Sequence, residues 1–265
     1  MTTKEETRSL ERALQILEVL AQCGPCSLHQ LHERTALSKS TIRRLLATLC
    51  RHHFVRRGIC DRLYRANITL PWDGDRELAA RTARLVEVAT PHLSELTKNI
   101  GWPSDLFIYW TGRIRLVEST RSISPFDMDK KKFVDRDINM FMSAAGLAYL
   151  SALEDSQVSA IVRANRDEPE WCLERLGLVE RDLLRELKHI RKAGYAVRRP
   201  GYRRRPASAT FNAVAVPIAD ARGPIGGVSI WWPRKHLNAE QFARKYLFEL
   251  RATAARISDD LARLP

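Results

Sequence analysis

Residues 27–57, SLHQLHERTALSKSTIRRLLATLCRHHFVRR, read as helix, tight turn, helix, with the second helix basic on one side only. Ser27 and Gln30 form the S-x-x-Q pattern of a capping box, which satisfies orphan backbone donors at a helix start. Leu28 and Leu31 give this first helix an apolar face, and it runs out near Thr35. Ala36 and Leu37 fill a short turn, and Ser38 is placed to cap the second helix, with Ser40 as the fallback. Ile42, Leu45, Leu46 and Leu49 recur at i, i+3, i+4 and i+7, which is one face of a helix. Lys39, Ser40, Thr41, Arg43 and Arg44 lie at its start, most of them turned away from that face. From Lys39 to Arg57 there are six Lys or Arg and no Asp or Glu. A helix with an apolar back and a basic, hydroxyl-rich front can be anchored in a protein while it enters a DNA major groove. The plainer readings are a solvated helix face and one of the many unrelated helix pairs.

The flanks weigh against those. Upstream, Leu10, Ala13, Leu14, Leu17, Leu20 and Ala21 make an amphipathic helix able to cover the pair. Downstream, FVRR at residues 54–57 is strand-like, residues 58–61 offer a turn, and LYRA at residues 63–66 offers a return strand. Three helices followed by a basic hairpin describe a winged helix-turn-helix. Arg56, Arg57, Arg62 and Arg65 suit phosphate contact by the wing, since phosphate charge supplies most of the sequence-independent affinity. The expected partner is a double-stranded DNA operator.

At this point the chain resembles the IclR-type bacterial transcriptional regulators. The resemblance rests on SLERALQILEVLAQCGPCSLHQLHERTALSKSTIRRLLATL at residues 9–49, followed by FVRR, and it continues through most of the chain. Trp102-Pro103-Ser104-Asp105, Glu118-Ser119-Thr120, Ser143-Ala144-Ala145-Gly146-Leu147, Lys192-Ala193-Gly194-Tyr195 and AVAVP at residues 213–217 fall in the order and rough spacing of that family's second half. The Trp102 to Asp105 motif resembles most the branch that activates hydroxyphenylpropionate catabolism (MhpR-like). The resemblance implies an α+β multidomain protein. Residues 1–72 would form a winged helix-turn-helix DNA-binding domain, residues 73–100 a linker helix, and residues 101–265 a GAF-like α/β effector-binding domain. It implies a homodimer or homotetramer and a small carboxylic acid effector, often aromatic. The family's pocket maps onto Trp110, Ser119, Arg121, Met142, Ser143, Ala144, Gly146, Asn212, Ser229 and Trp231.

The residues add their own chemistry to that map. A capped helix start at Ser143-Ala144-Ala145-Gly146 would offer backbone N–H groups to a carboxylate. Arg121 is a candidate for a second, charge-assisted contact. Trp110, Phe126, Met142 and Trp231 would hold a ring, or else are ordinary core residues. A second basic cluster, Arg198, Arg199, Arg203, Arg204 and Arg205, would touch DNA, oppose an acidic patch of RNA polymerase, or simply be solvated.

Composition agrees without recourse to resemblance. A chain of 265 residues accommodates two domains, and 45% hydrophobic residues can build cores. Net charge is +13, and residues 1–72 hold twelve basic against six acidic side chains, which favours a polyanionic partner. No run approaches the roughly 20 apolar residues of a membrane span. The start, MTTKEETRS, lacks a signal-peptide core, so a cytoplasmic protein with no membrane partner is expected. Residues 71–75 are a break, and residues 76–98 a helix that Pro91 should kink or split. Beyond residue 101, strands alternate with helices. A long helix over residues 238–264 closes the chain, and residues 121–137 read as irregular.

Two other function classes remain to be weighed. Cys23-Gly24-Pro25-Cys26 has the sequence of a thioredoxin redox site, but that chemistry needs a preceding strand and a following helix N-terminus. Cys23, Cys26, Cys50 and His53 are plausible zinc ligand types, yet the helical packing just derived holds them apart. A redox- or metal-responsive regulator built on Cys23 and Cys26 is therefore the alternative, not the expectation. The other is an enzyme with an appended DNA-binding head. There is no nucleophile elbow, HExxH, P-loop or dinucleotide fingerprint. Asp127 and Asp129 read as a solvated acidic pair. No catalytic residue, metal or cofactor is expected.

Overall fold

Capping and periodicity act first. In the computed structural model, α1 (Thr3–Cys23), α2 (Leu28–Thr35) and α3 (Lys39–Arg51) precede a two-stranded hairpin, β1 (Val55–Arg57) and β2 (Tyr64–Ala66). The described residues are 3–67, 76–110, 112–126, 136–168, 170–200 and 211–263. The break at residues 71–75, Asp127 with Asp129, and Arg203 with Arg204 and Arg205 lie outside them. Ser27 and Gln30 close the capping box in both directions, at 3.2 and 2.9 Å. Ser38, not Ser40, caps α3 by accepting from the Thr41 N–H at 3.2 Å. Between the helices Ala36 takes the left-handed conformation at φ 55°, which ends α2 within one residue.

One core holds these pieces together. Ile16, Leu17, Leu20, Leu31, Ile42, Leu46, Leu49 and Val55 are buried in it, so α1 covers the α2–α3 pair through Ile16, Leu17 and Leu20, while Leu10 and Leu14 of the expected face are exposed. Cys26 belongs to the same core, and its backbone exchanges two hydrogen bonds with Tyr64, at 3.0 and 2.8 Å. That bridge pins the hairpin against the start of α2.

The rest of the chain is built on one antiparallel six-stranded sheet, ordered β5-β4-β3-β8-β7-β6. Its strands are β3 (Ser104–Trp110), β4 (Arg113–Ser119), β5 (Arg136–Ile138), β6 (Ala196–Val197), β7 (Phe211–Asp220) and β8 (Gly223–Pro233). β5 overlaps the end of the stretch expected to be irregular, residues 121–137. It is too short for a two-residue alternation to stand out and exists by pairing with β4.

On one sheet face lie α5 (Ala144–Ser151), α6 (Asp155–Ala164) and α7 (Glu180–Ala193), with the apolar side chains Phe107, Ile114, Leu116 and Ala215 turned towards them. Every residue of α5 is buried, as expected of a helix packed on all sides. It can come this close because Gly146 meets the Met140 backbone and Gly227 of β8 meets Ala145, with no room at Gly146 for a Cβ.

The other face carries α8 (Ala239–Arg263), whose Phe242 stacks on Trp232 at 3.5 Å, and the second half of α4 (Arg76–Ile100). Thr97 of α4 joins a buried hydroxyl network with Ser104 and Thr120, at 3.1 and 2.6 Å. His92 and Glu95 of α4 meet Asp260 and Arg256 of α8 at 2.8 and 2.9 Å. α4 runs on through Pro91 and is not split there. The compact units divide between Arg84 and Leu85. Leu85, Ala89, Leu93 and Leu96 are buried, so this part of the expected linker helix is packed in the second unit. No helix among the described residues is long and apolar enough to cross a membrane.

Candidate nucleic-acid interface and ligand site

In the first unit, the buried face of α3 leaves Lys39, Ser40, Arg43 and Arg44 exposed, and Thr41 half-buried. The hydroxyls of Ser40 and Thr41 each lie 2.9 Å from that of Ser38, so the helix start is a cluster of hydroxyls and backbone N–H groups ringed by base. Such a terminus favours phosphate. The exposed stripe continues through Ala47, Thr48 and Arg51, which the sequence reading did not single out. Their signal was present: they follow Arg44 at i+3, i+4 and i+7.

In the hairpin, Arg57 and Arg62 are exposed and Arg56 half-buried. Arg65 corrects the expectation of phosphate contact. Its guanidinium, 5% exposed, forms a two-pronged pair with the Asp61 carboxylate at 3.1 and 2.6 Å. It passes so close over Gly58 that a Cβ there would overlap it. Arg65 therefore holds the wing loop closed from within.

The cysteines do not assemble. Cys26 is buried, Cys23 is exposed and takes a hydrogen bond from Arg34 at 3.0 Å, and neither is in a disulfide. Burial pushes the Cys50 thiol up, against the pull of Arg57, which keeps it protonated. Among the described residues, no group of three or more His, Cys, Asp or Glu could hold a metal.

In the second unit, polar groups gather at one end of the α5 face of the sheet. Asp105, Ser229 and Ala215 stand side by side on β3, β8 and β7. A bulge in β4 between Leu116 and Glu118 shifts the alternation, so that Ser119 as well as Leu116 faces α5. The Ser119 hydroxyl donates to Asp105 Oδ1 at 2.6 Å, and Arg121 Nη2 donates to Asp105 Oδ2 at 2.8 Å. The Arg121 guanidinium lies 4.5 Å from the Trp231 ring centroid, and Phe211 meets the same indole edge-on at 5.0 Å.

The start of α5 is held at this end of the sheet. Arg198 N donates to Ala213 O at 3.0 Å, Ala213 pairs with Trp231, and Arg199 N donates to Met142 O at 3.1 Å. Ser143 caps α5 by accepting from Gly146 N–H at 3.1 Å. The N–H groups of Ala144 and Ala145 precede the first intrahelical donor. The result is a site with a helix start on one side and a carboxylate–guanidinium pair, two serines and an indole on the other.

Comparison with known proteins gives the family. Residues 9–58 match the IclR helix-turn-helix domain, and residues 78–259 match the bacterial transcriptional regulator IclR C-terminal domain. The chain belongs to the IclR family of DNA-binding transcriptional regulators. It is 26% identical over 259 residues to the DNA-binding transcriptional repressor YiaJ of Escherichia coli K12, covering 96% of this chain and 88% of that one. Its fold is similar to that of a transcriptional regulator from Rhodococcus sp. RHA1, with TM-score 0.57, 22% identity, and 96% and 98% of the two chains covered. It is also similar to an IclR homologue from Microbacterium hydrocarbonoxydans crystallised with 4-hydroxybenzoate, with TM-score 0.54, 22% identity, and 96% and 98% covered.

The positions carried over from the IclR family are only partly brought together. Ser119, Arg121, Ser229 and Trp231 gather around Asp105 on the sheet, and Met142, Ser143 and Ala144 lie at the start of α5, tied to the sheet edge through Arg199. Trp110 does not join them. Tyr109 faces α5 and stacks on Tyr149, so alternation turns Trp110 to the opposite face, where Arg115 covers it at 4.6 Å. Asn212 is also on that opposite face, paired with Trp232, and Phe211 takes the place beside Trp231. Gly146 is a packing glycine against Met140. Phe126 is stacked on Trp102 at 4.2 Å, and Trp102 in turn meets Phe242 on the α8 side. Arg199 is paired with Glu186. Asp105, absent from the carried-over positions, is the residue at the centre of the polar end. Its signal was its place in the quoted Trp102 to Asp105 motif, but nothing local shows which face it takes.

Proposed function

We propose that this IclR regulator reads its operator with α3 and binds a small, single-ring organic acid in the second unit, and that the acid biases how the protein sits on DNA. The observation that carries the DNA reading is the exposed basic stripe on a capped helix whose opposite face is locked in the core. Ser38, Ser40, Thr41, Arg43 and Arg44 would face the groove, Lys39 the backbone, and Arg56, Arg57 and Arg62 the flanking phosphates. Arg44→Ala should cost about 1–3 kcal/mol on the operator and relax specificity, whereas Arg56→Ala should weaken all sequences alike. Titrations of both variants against operator and random duplexes check this. If both lose equally on the two DNAs, the roles are wrongly assigned.

The ligand reading is supported by the capped start of α5, whose first N–H groups have no intrahelical acceptor, and by the paired rings of Trp231 and Phe211 at the same end of the sheet. The homologue bound to 4-hydroxybenzoate, and the likeness of the Trp102 to Asp105 motif to the hydroxyphenylpropionate branch, support an aromatic acid. The carboxylate would meet Ala144 and Ala145. Ser143→Asp keeps a good cap and adds a negative charge at that point. It should weaken an aromatic acid far more than its methyl ester in calorimetry. Acid and ester behaving alike in both proteins would remove the carboxylate from α5. We infer a homodimer or homotetramer acting in the cytoplasm, regulating rather than catalysing.

A further inference from the structure

The ligand site contains a charge pair of its own at the pole away from the start of α5. Asp105 is 4% exposed, with Ser119 on one oxygen and Arg121 on the other. The two charged side chains are 6% and 11% exposed, so solvent screens them little. Beside them the Trp231 Nε1–H, in a residue 8% exposed, has no hydrogen-bond partner among the described residues. A buried N–H without an acceptor is costly, so this indole points to an acceptor supplied by a ligand. The pole is thus neutral as a pair, and the Trp231 N–H stands there as an unmet donor next to a carboxylate.

We propose that Asp105 makes this site selective for acids with a single negative charge. This rests on the reading of the second unit as an organic-acid sensor. With the ligand's carboxylate at the start of α5, its far end reaches the Asp105–Arg121 pair. A neutral acceptor there, such as a hydroxyl or ester oxygen, meets the Trp231 N–H. A second carboxylate meets Asp105 instead, and Arg121 does not compensate because Asp105 already balances its charge. Neutralising Asp105 hands Arg121 to the incoming carboxylate and turns rejection into attraction.

The test is calorimetry with 4-hydroxybenzoate, terephthalate and monomethyl terephthalate, the last matching the diacid in shape without its second charge. The wild type should bind terephthalate more weakly than its monomethyl ester by about tenfold or more. In Asp105→Asn the order should reverse. Because that variant strands the Arg121 charge in the interior, Asp105→Asn/Arg121→Gln is measured beside it, and there the two ligands should bind within about threefold of each other. Equal binding of diacid and monoester by the wild type, or a wild-type ratio persisting in the double variant, overturns the role of Asp105 and leaves the organic-acid reading standing. Binding of none of the three probes by the wild type overturns the organic-acid reading, and the role of Asp105 with it.

Discussion

Arg62 and Arg65 are three positions apart in one hairpin, carry the same charge, and do different work. Arg62 is exposed in a left-handed turn, φ 59°, whereas Arg65 is enclosed with Asp61. Removing one partner of an enclosed pair leaves the other charge buried and unpaired. Arg65→Ala should therefore destabilise the first unit by about 3–5 kcal/mol. Arg62→Ala should leave stability within about 0.5 kcal/mol and lower the slope of log affinity against log salt by about one. Urea unfolding of each variant and DNA titration across a salt series separate the two roles. An Arg65→Ala protein as stable as wild type would return that residue to the DNA surface.

At the scale of elements, α3 and α5 show how one device serves two ends. Each is opened by a serine that caps its third N–H, Ser38 for α3 and Ser143 for α5. α3 keeps one basic face in water, the face proposed to meet DNA, while α5 is buried all round and leaves only its start for the proposed ligand. The position of that start depends on Gly146, whose Cα lies against the Met140 backbone. Gly146→Ala should overpack this contact, costing about 1–3 kcal/mol, and should push the start of α5 off the polar end. Thermal melts should show the second unit weakened, and calorimetry a loss of acid binding. Unchanged values would mean that α5 shifts freely. The bulge in β4 is the matching device in the sheet, since without it Glu118 rather than Ser119 would share a face with Leu116.

For the whole molecule, a single α3 reads too few base pairs to locate one site. The chain is therefore expected to associate, with half-sites about 34 Å or a multiple of that apart. Sedimentation at micromolar concentration should give a dimer or tetramer, and footprinting a two-fold symmetric operator. A monomer with full operator affinity would exclude this. Ligand binding changes transcription only through a difference in affinity for two arrangements of the protein. An effective acid must therefore change operator affinity, and DNA must change acid affinity by the same factor. Titrations in both orders check that equality.

The first unit could be read almost entirely from sequence because its signals are local. Capping at Ser27 and Ser38, the i, i+3, i+4, i+7 spacing of Ile42 to Leu49, and the basic exposed face all act within one or two helical turns. The second unit was legible as alternating strands and helices, but not as a site. Which face a strand residue takes depends on register and on bulges made with a neighbouring strand far along the chain. Trp110 and Asn212 therefore lie on the α8 side, although their sequence positions matched. The partner of a charge is equally hidden: Arg121 finds Asp105 on the neighbouring strand, and Arg65 turns inward to Asp61, four residues away, because Gly58 leaves room for it. Sequence by itself determined most of the elements, the family and the helix proposed to read DNA. Only the tertiary structure decided that a buried carboxylate stands at the polar end of the proposed ligand site, because only strand pairing brings Asp105, Ser119, Arg121 and Trp231 to one place.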